Sequence, residues 1–168
     1  SDVGAADLTR PGAFRKTVEA FTEGAQTLPQ RYFVSAEVFA EEQAKLFARQ
    51  WVCVGHQSQL GKSGDFMVRR VAGESLIVVR DQKGGVRAFY NVCRHRGTRL
   101  CEEARGHAAA IQCPYHAWTY AVDGRLIGAP HMDAVPGFER ADYSLHGLHF
   151  GIWEGFIFVS RARSPTTL

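Results

Sequence analysis

Apolar and polar side chains alternate along the chain in two regimes. Up to about residue 50 the spacing is helical. Phe14, Val18 and Phe21 recur at intervals of four and three, and Thr27-Leu28-Pro29 ends that stretch. Ser35 then reads as the N-cap of a helix reaching about Gln50, with Glu37 near the positive end of its dipole. Phe39, Gln43, Leu46, Phe47 and Gln50 mark one face of that helix, expected to pack against the domain that follows. After Trp51 the period becomes two. Residues 51–56, 65–71 and 76–80 read as strands, divided by Gly61, Gly64 and Gly73. Asp81-Gln82-Lys83-Gly84-Gly85 is a hairpin turn leading to a return strand over 86–92. A short strand follows at 109–113. Residues 118–121 and 125–127 pair around Val122-Asp123-Gly124, where an Asp-Gly step favours a tight turn. Residues 129–144 read as loop, 146–153 and 155–160 as a last hairpin, and the polar tail from Arg161 as frayed. The pattern predicts an all-β antiparallel domain over 51–160, with a helical leader over 1–50 and a tail over 161–168.

Composition narrows the class. Apolar residues make up 45% of 168, enough for one real core, and 17 glycines with 11 phenylalanines suit strands and tight turns. A net charge of +3 is too small to indicate nucleic acid or a membrane surface as partner. No apolar run approaches a membrane span, and Ser1 to Arg10 lacks the apolar centre of a signal peptide. The expectation is a cytoplasmic protein. Four cysteines do not frame a disulfide scaffold in a chain of this size; beside histidines in a reducing compartment they point to metal or redox chemistry. Cys53 falls in a strand pattern and reads as a small core residue.

The stretch that carries chemistry is Cys93-Arg94-His95-Arg96-Gly97 followed, after seventeen residues intervening between His95 and Cys113, by Cys113-Pro114-Tyr115-His116. Each half supplies one thiolate and one imidazole. A [2Fe–2S] cluster needs two protein ligands per iron, and in Rieske centres two histidines replace two cysteines on one iron. This reading puts Cys93 and Cys113 on one iron and His95 and His116 on the other. Structural zinc is the competing reading, but zinc spacing commonly begins C-x₂₋₄-C and ends H-x₃₋₅-H, whereas each half here mixes the two residue types. Neighbouring residues suit a cluster. Gly97 lets the backbone pass close to it, and Pro114 stiffens the second loop. Tyr115 and Trp118 are placed to shield it. Arg94, Arg96 and Arg99 offset the negative charge added on reduction, and an imidazole that takes up a proton would make the potential vary with pH.

At these residues the chain resembles the Rieske domain of the α subunits of Rieske non-haem iron oxygenases, the ring-hydroxylating type. The resemblance covers residues 32–160 and is carried by Asn91-Val92-Cys93-Arg94-His95-Arg96-Gly97, by Cys113-Pro114-Tyr115-His116-Ala117-Trp118 and by Gly155-Phe156-Ile157-Phe158-Val159. It implies a Rieske-type antiparallel β-sandwich with an inserted cluster-binding subdomain over about 91–121. It implies that Cys93, His95, Cys113 and His116 are the cluster ligands, and that electrons arrive from a reductase or ferredoxin. They would leave for a mononuclear Fe(II) held in a larger catalytic domain, in a neighbouring subunit of a trimer. That domain is expected beyond Leu168. Respiratory Rieske proteins match less well, since they carry an extra, disulfide-paired cysteine in each loop. Cys101 has only Tyr115 opposite, and is expected to be an unpaired, partly buried thiol.

The remaining histidines, His56, His107, His131, His146 and His149, read as surface or loop residues, not a second metal site. Gly128-Ala129-Pro130-His131-Met132 and Val135-Pro136-Gly137-Phe138 resemble members acting on choline, betaine or related quaternary amines. A free-standing Rieske ferredoxin is the alternative, although such carriers begin near Trp51; a zinc-stabilised module is the remote one.

Overall fold

Strand β3 (Glu74–Arg80) organises the structure, because Leu76, Ile77, Val78 and Val79 are all fully buried and strand geometry sends neighbours to opposite faces. Leu76 and Val78 join a core with Val54, Met67, Ile157 and Val159. Ile77 and Val79 join a second core that contains Cys93, Cys113, Trp118 and Tyr120. One strand thus walls both the scaffold and the metal loops. The computed structural model describes residues 27–168, so the helical spacing of Phe14, Val18 and Phe21 lies outside the described residues. The chain divides into two compact units, 1–35 and 36–168. The described part of the first holds a single helical turn, α1 (Arg31–Val34).

The second unit opens with α2 (Ala36–Glu42), continued by a wider π-helical turn over Gln43–Phe47. Three antiparallel sheets follow. In the first, β4 (Val86–Tyr90), β3, β2 (Asp65–Val71) and β5 (Arg105–His107) lie in that order. The second orders β1 (Val52–His56), β10 (Phe156–Ser160) and β9 (His149–Trp153). The third, carrying the second metal loop, orders β6 (Ala110–Gln112), β7 (Thr119–Ala121) and β8 (Leu126–Gly128). All-β architecture with helices in front is therefore what the chain adopts. No helix among the described residues is long and apolar enough to cross a membrane.

Several expectations are corrected. β5 stands where no strand was expected, because all three of its residues are exposed and leave no apolar alternation; it exists through pairing with β2, His107 opposite Asp65. Two 3-10 turns, Gln57–Gln59 and Arg140–Tyr143, stand where no element was expected. The stripe along α2 and the π-helical turn does not pack: Phe39 on the one is 58% exposed and Leu46 on the other 50%, since the sandwich closes its core with residues from Val54 onward. Cys53 is exposed, because Val54 takes the inward position of β1 and a bulge between Cys53 and Gly55 shifts the register. The tail is not frayed. The Trp51 indole donates to Thr166 O at 2.7 Å and Arg161 donates to Ala72 O at 2.9 Å.

The β3–β4 turn is held by one buried carboxylate. Asp81 accepts from the backbone N–H of Lys83 and Gly85 at 2.9 and 2.8 Å and from Arg87 Nε at 2.8 Å. Burial alone would raise its pKa, but Arg87 and the two backbone donors outweigh it and hold the carboxyl below the usual value. A depressed pKa gives stability that is complete above the unfolded value and lost as pH falls through the folded one. Asp81→Asn should therefore cost about 1.5–3 kcal/mol at pH 7, and the difference from the parent should shrink below about pH 4. Denaturant unfolding at pH 7 and pH 3 checks this; an equal loss at both values would show that the charge is irrelevant.

Candidate metal centre

Two loops carry the centre, one following β4 and one joining β6 to β7, and they repeat the same turn. Cys93 N donates to Thr98 O at 2.8 Å, and Gly97 N to Cys93 O at 2.9 Å. In the second loop Cys113 N donates to Trp118 O at 2.8 Å, and Ala117 N to Cys113 O at 3.1 Å. Both turns close through a left-handed residue, Gly97 at φ +75° and Ala117 at φ +57°. A Cβ on Gly97 would meet only Val92 Cγ2, at 4.0 Å. Among protein atoms, then, handedness is what asks for glycine there.

The repeated turn brings the four candidate ligands together in pairs. Cys93 and Cys113 are buried in the same core. Burial raises the pKa of the Cys93 thiol, and Cys113 beside it adds to the rise, so the proton stays until a metal displaces it. The His95 and His116 rings lie with centroids 4.6 Å apart. Burial, then His116 and Arg96, lowers the pKa of His95 and leaves it neutral, the form that ligates. Nδ1 of His95 and Nδ1 of His116 are both buried without a hydrogen-bond partner. Such atoms are rare in folded proteins and call for an explanation. Two imidazole nitrogens with nothing to bind, beside two buried thiols, fit a metal group that takes two nitrogen and two sulfur ligands.

The walls divide the shielding expected of Tyr115 and Trp118. Trp118 is buried and stacks on His95 at 4.9 Å with 9° between the rings. Phe138 and Tyr143 meet Trp118 edge-on, at 5.7 and 5.6 Å. Tyr115 instead lies outside, 61% exposed, against His116 at 3.7 Å. Pro114, Arg96, Gly97 and Arg99 are exposed as well. Arg94 is half-buried, and its guanidinium donates to Ser144 O at 2.7 Å, which ties the first loop to the segment that carries Phe138 and Tyr143.

Two contributors have roles that the sequence alone does not assign. Tyr120 OH accepts the Arg94 N–H at 3.0 Å and lies 3.3 Å from Cys93 Sγ, so its own proton is free to point at the sulfur. On sequence it is only one residue of a short strand over 118–121. Asn91 is buried, with Oδ1 accepting from the Leu100 and Cys101 N–H groups at 3.0 and 2.9 Å. Its Nδ2 donates to Cys101 O at 2.7 Å and to Ser75 Oγ at 3.1 Å. It closes the first loop onto β3. A polar residue ending an apolar strand was the available signal. Cys101 is an unpaired buried thiol, as expected, with a pKa pushed up to about 11 by burial.

The repeated turn makes a prediction. Gly97→Ala should cost about 1 kcal/mol, because Ala117 shows that the turn accepts a Cβ at the price of handedness. Ala117→Gly should shift stability by about 1 kcal/mol or less, toward the folded state. Denaturant midpoints test both; a loss from Gly97→Ala well above this size would restore close approach of the backbone to the metal group as its reason.

The Rieske [2Fe–2S] domain family matches residues 50–139. The carnitine monooxygenase oxygenase subunit of Acinetobacter baumannii is 37% identical over 142 residues, which are 84% of this chain and 38% of that protein. The glycine betaine monooxygenase oxygenase subunit of Chromohalobacter salexigens is 40% identical over 146 residues, 87% of this chain and 33% of that one. A solved quaternary ammonium Rieske monooxygenase, described with carnitine oxidation and inter-subunit electron transfer, superposes with a TM-score of 0.76 at 38% identity. That match covers 84% of this chain and 39% of the other. The chain thus spans well under half the length of these relatives. With the paired loops, the unpartnered imidazole nitrogens and these matches together, the chain belongs to the Rieske [2Fe–2S] domain family, in the form found in oxygenase subunits.

Proposed function

We propose that Cys93 and Cys113 hold one iron of the [2Fe–2S] cluster and His95 and His116 the other, each histidine through Nδ1. The observation that carries this is the pair of buried, unpartnered Nδ1 atoms. When bound, the cluster stores and releases one electron at a potential set by its ligands and their surroundings. The chain's residues do the rest. Trp118 holds the ring plane of His95 and keeps water from it. Tyr120 directs a hydrogen bond at Cys93 Sγ, and Arg94 is anchored beside it. The domain division offered is a leader over 1–50, the Rieske domain over 51–160 with its cluster-binding subdomain at about 91–121, and a tail over 161–168.

The parent protein proposed is an oxygenase that hydroxylates or demethylates a small organic molecule, with a quaternary ammonium compound as the favoured class. The matches to carnitine and glycine betaine monooxygenase subunits support that class. Electrons would come from a reductase or ferredoxin and leave for a mononuclear iron in a neighbouring subunit of a trimer. The inter-subunit transfer described for the quaternary ammonium relative supports that direction. By itself this chain relays electrons, in the cytoplasm.

The test is to load the protein with iron and sulfide and measure metal content and midpoint potential. About two irons per chain are expected. His116→Cys should keep an iron–sulfur cluster and lower its potential by on the order of 100 mV or more, toward the all-cysteine range. An unchanged potential would sink the ligand assignment. Tyr120→Phe should lower the potential by about 20–65 mV, the worth of one ordinary hydrogen bond for a one-electron couple. A rise, or no change, would mean that the phenol proton points elsewhere.

A further inference from the structure

Beside the first metal loop the surface is concave. A groove of about 320 Å³ is lined by Arg70, Ser75, Tyr90, Asn91, Gly97 and Arg99, together with Val92 and the end of the β2–β3 hairpin. Arg70 comes from β2 and Arg99 from the metal loop itself, and both are exposed. Among the described residues neither makes a hydrogen bond or an ion pair. Glu74 also borders the groove, but Arg161 faces it at 3.4 Å. Two uncompensated positive charges therefore converge on one concavity. Its wall is the loop that carries the centre: Val92 adjoins Cys93, and Gly97 N donates to Cys93 O.

The groove does not end at the arginines. Arg70 and Gly73 also border a second concavity, of about 500 Å³, whose far side is Phe39, Gln43 and Ala72. There the exposed face of α2 supplies the apolar surface that packing left uncovered. A charged groove continuous with exposed aromatic surface has the make-up of a protein interface and offers more than a free anion would use. Electron-transfer encounters are small and steered by charge, which affects association rate and salt dependence above all.

We infer that this groove is the docking face of a small acidic electron-donor protein, whose carboxylates meet Arg70 and Arg99 while an apolar patch covers Phe39. The inference rests on the electron-relay reading above. In the transfer, one electron leaves the reduced donor and enters the oxidised cluster; the donor is oxidised by one, the cluster is reduced by one, and no bond is made or broken. A donor seated here delivers its electron next to a cysteine of the centre.

The experiment uses the cluster-loaded protein and, as probe, a reduced acidic plant-type [2Fe–2S] ferredoxin, whose potential lies below the Rieske range so that transfer is downhill. Stopped-flow reduction is compared for the parent, for Arg70→Glu with Arg99→Glu, and for Lys83→Glu with Arg125→Glu. The last pair changes charge equally but sits on the turns at the opposite end of β3 and β4. A neutral deazaflavin radical reduces each protein in parallel. The groove variant should lose about tenfold or more in second-order rate constant with ferredoxin at low salt, and most of its salt dependence. The control pair should stay within about twofold, and the neutral radical should reduce all three alike. An equal loss in both charge-reversed proteins, an equal loss with the neutral radical, or no loss at all overturns the docking face. So does a parent that the radical reduces and ferredoxin does not. A protein that gains no reducible cluster fails the reading under Proposed function instead, and takes this inference with it.

Discussion

Strand β3 is buried on both faces, and the metal loops depend on that burial. Its even and odd positions belong to different cores, one built on β1 and β10 and one containing Cys93 and Cys113. Each fully buried aliphatic side chain contributes about 1.5–3 kcal/mol relative to exposure. Interiors are close-packed, so a strand gripped from both sides has little freedom to slide. Asn91, one residue past β4, then transmits that rigidity to the first loop. Its amide spans Ser75 at the start of β3 and the backbone of Leu100 and Cys101 at the far end of the loop. The loop ends are fixed by the scaffold, and the turn between them carries Cys93 and His95.

Polar groups inside this frame are arranged around the centre in a graded way. Nearest are the Cys93 thiol, its pKa raised by burial, and His95, its pKa lowered by burial and by the His116 ring. Next come groups with hydrogen bonds already made, Tyr120 on the Arg94 N–H and Arg94 on Ser144. Outermost are Arg96 and Arg99, exposed to water. Low-dielectric groups set the energy of the electron, because electrostatic effects are strongest where water is excluded. Exposed cations act at longer range, on whatever approaches, and are screened by salt. Both roles sit on one short loop, which links the tuning of the centre to its access.

Much of this was legible along the chain. The period-two segments, the Asp-Gly turn and the two Cys/His clusters appear in the structure close to where the residues place them, because alternation and turn chemistry are local properties. β5 was not legible, since three exposed residues carry no pattern and only pairing with β2 defines them. Cys53 and the α2 stripe misled for the opposite reason. Each has the composition of a core element, but whether an apolar side chain is covered depends on what other segments reach it. Tyr120 could not be singled out, because its phenol gains meaning only once Cys93, twenty-seven residues earlier, is brought to 3.3 Å.

The sequence by itself determined the candidate donors and their division into two loops, because ligand chemistry is a property of residue type and loop reach a property of spacing. It determined the strand-rich class for the same local reason. Only the tertiary structure decided that the two imidazoles meet edge to face with Nδ1 atoms shut away from water, and that Trp118 is buried while Tyr115 is exposed. Only the fold likewise set Arg70 and Arg99 on one groove. These are relations between residues far apart in the chain. They follow from packing two cores against one shared strand, which no local pattern of side chains encodes.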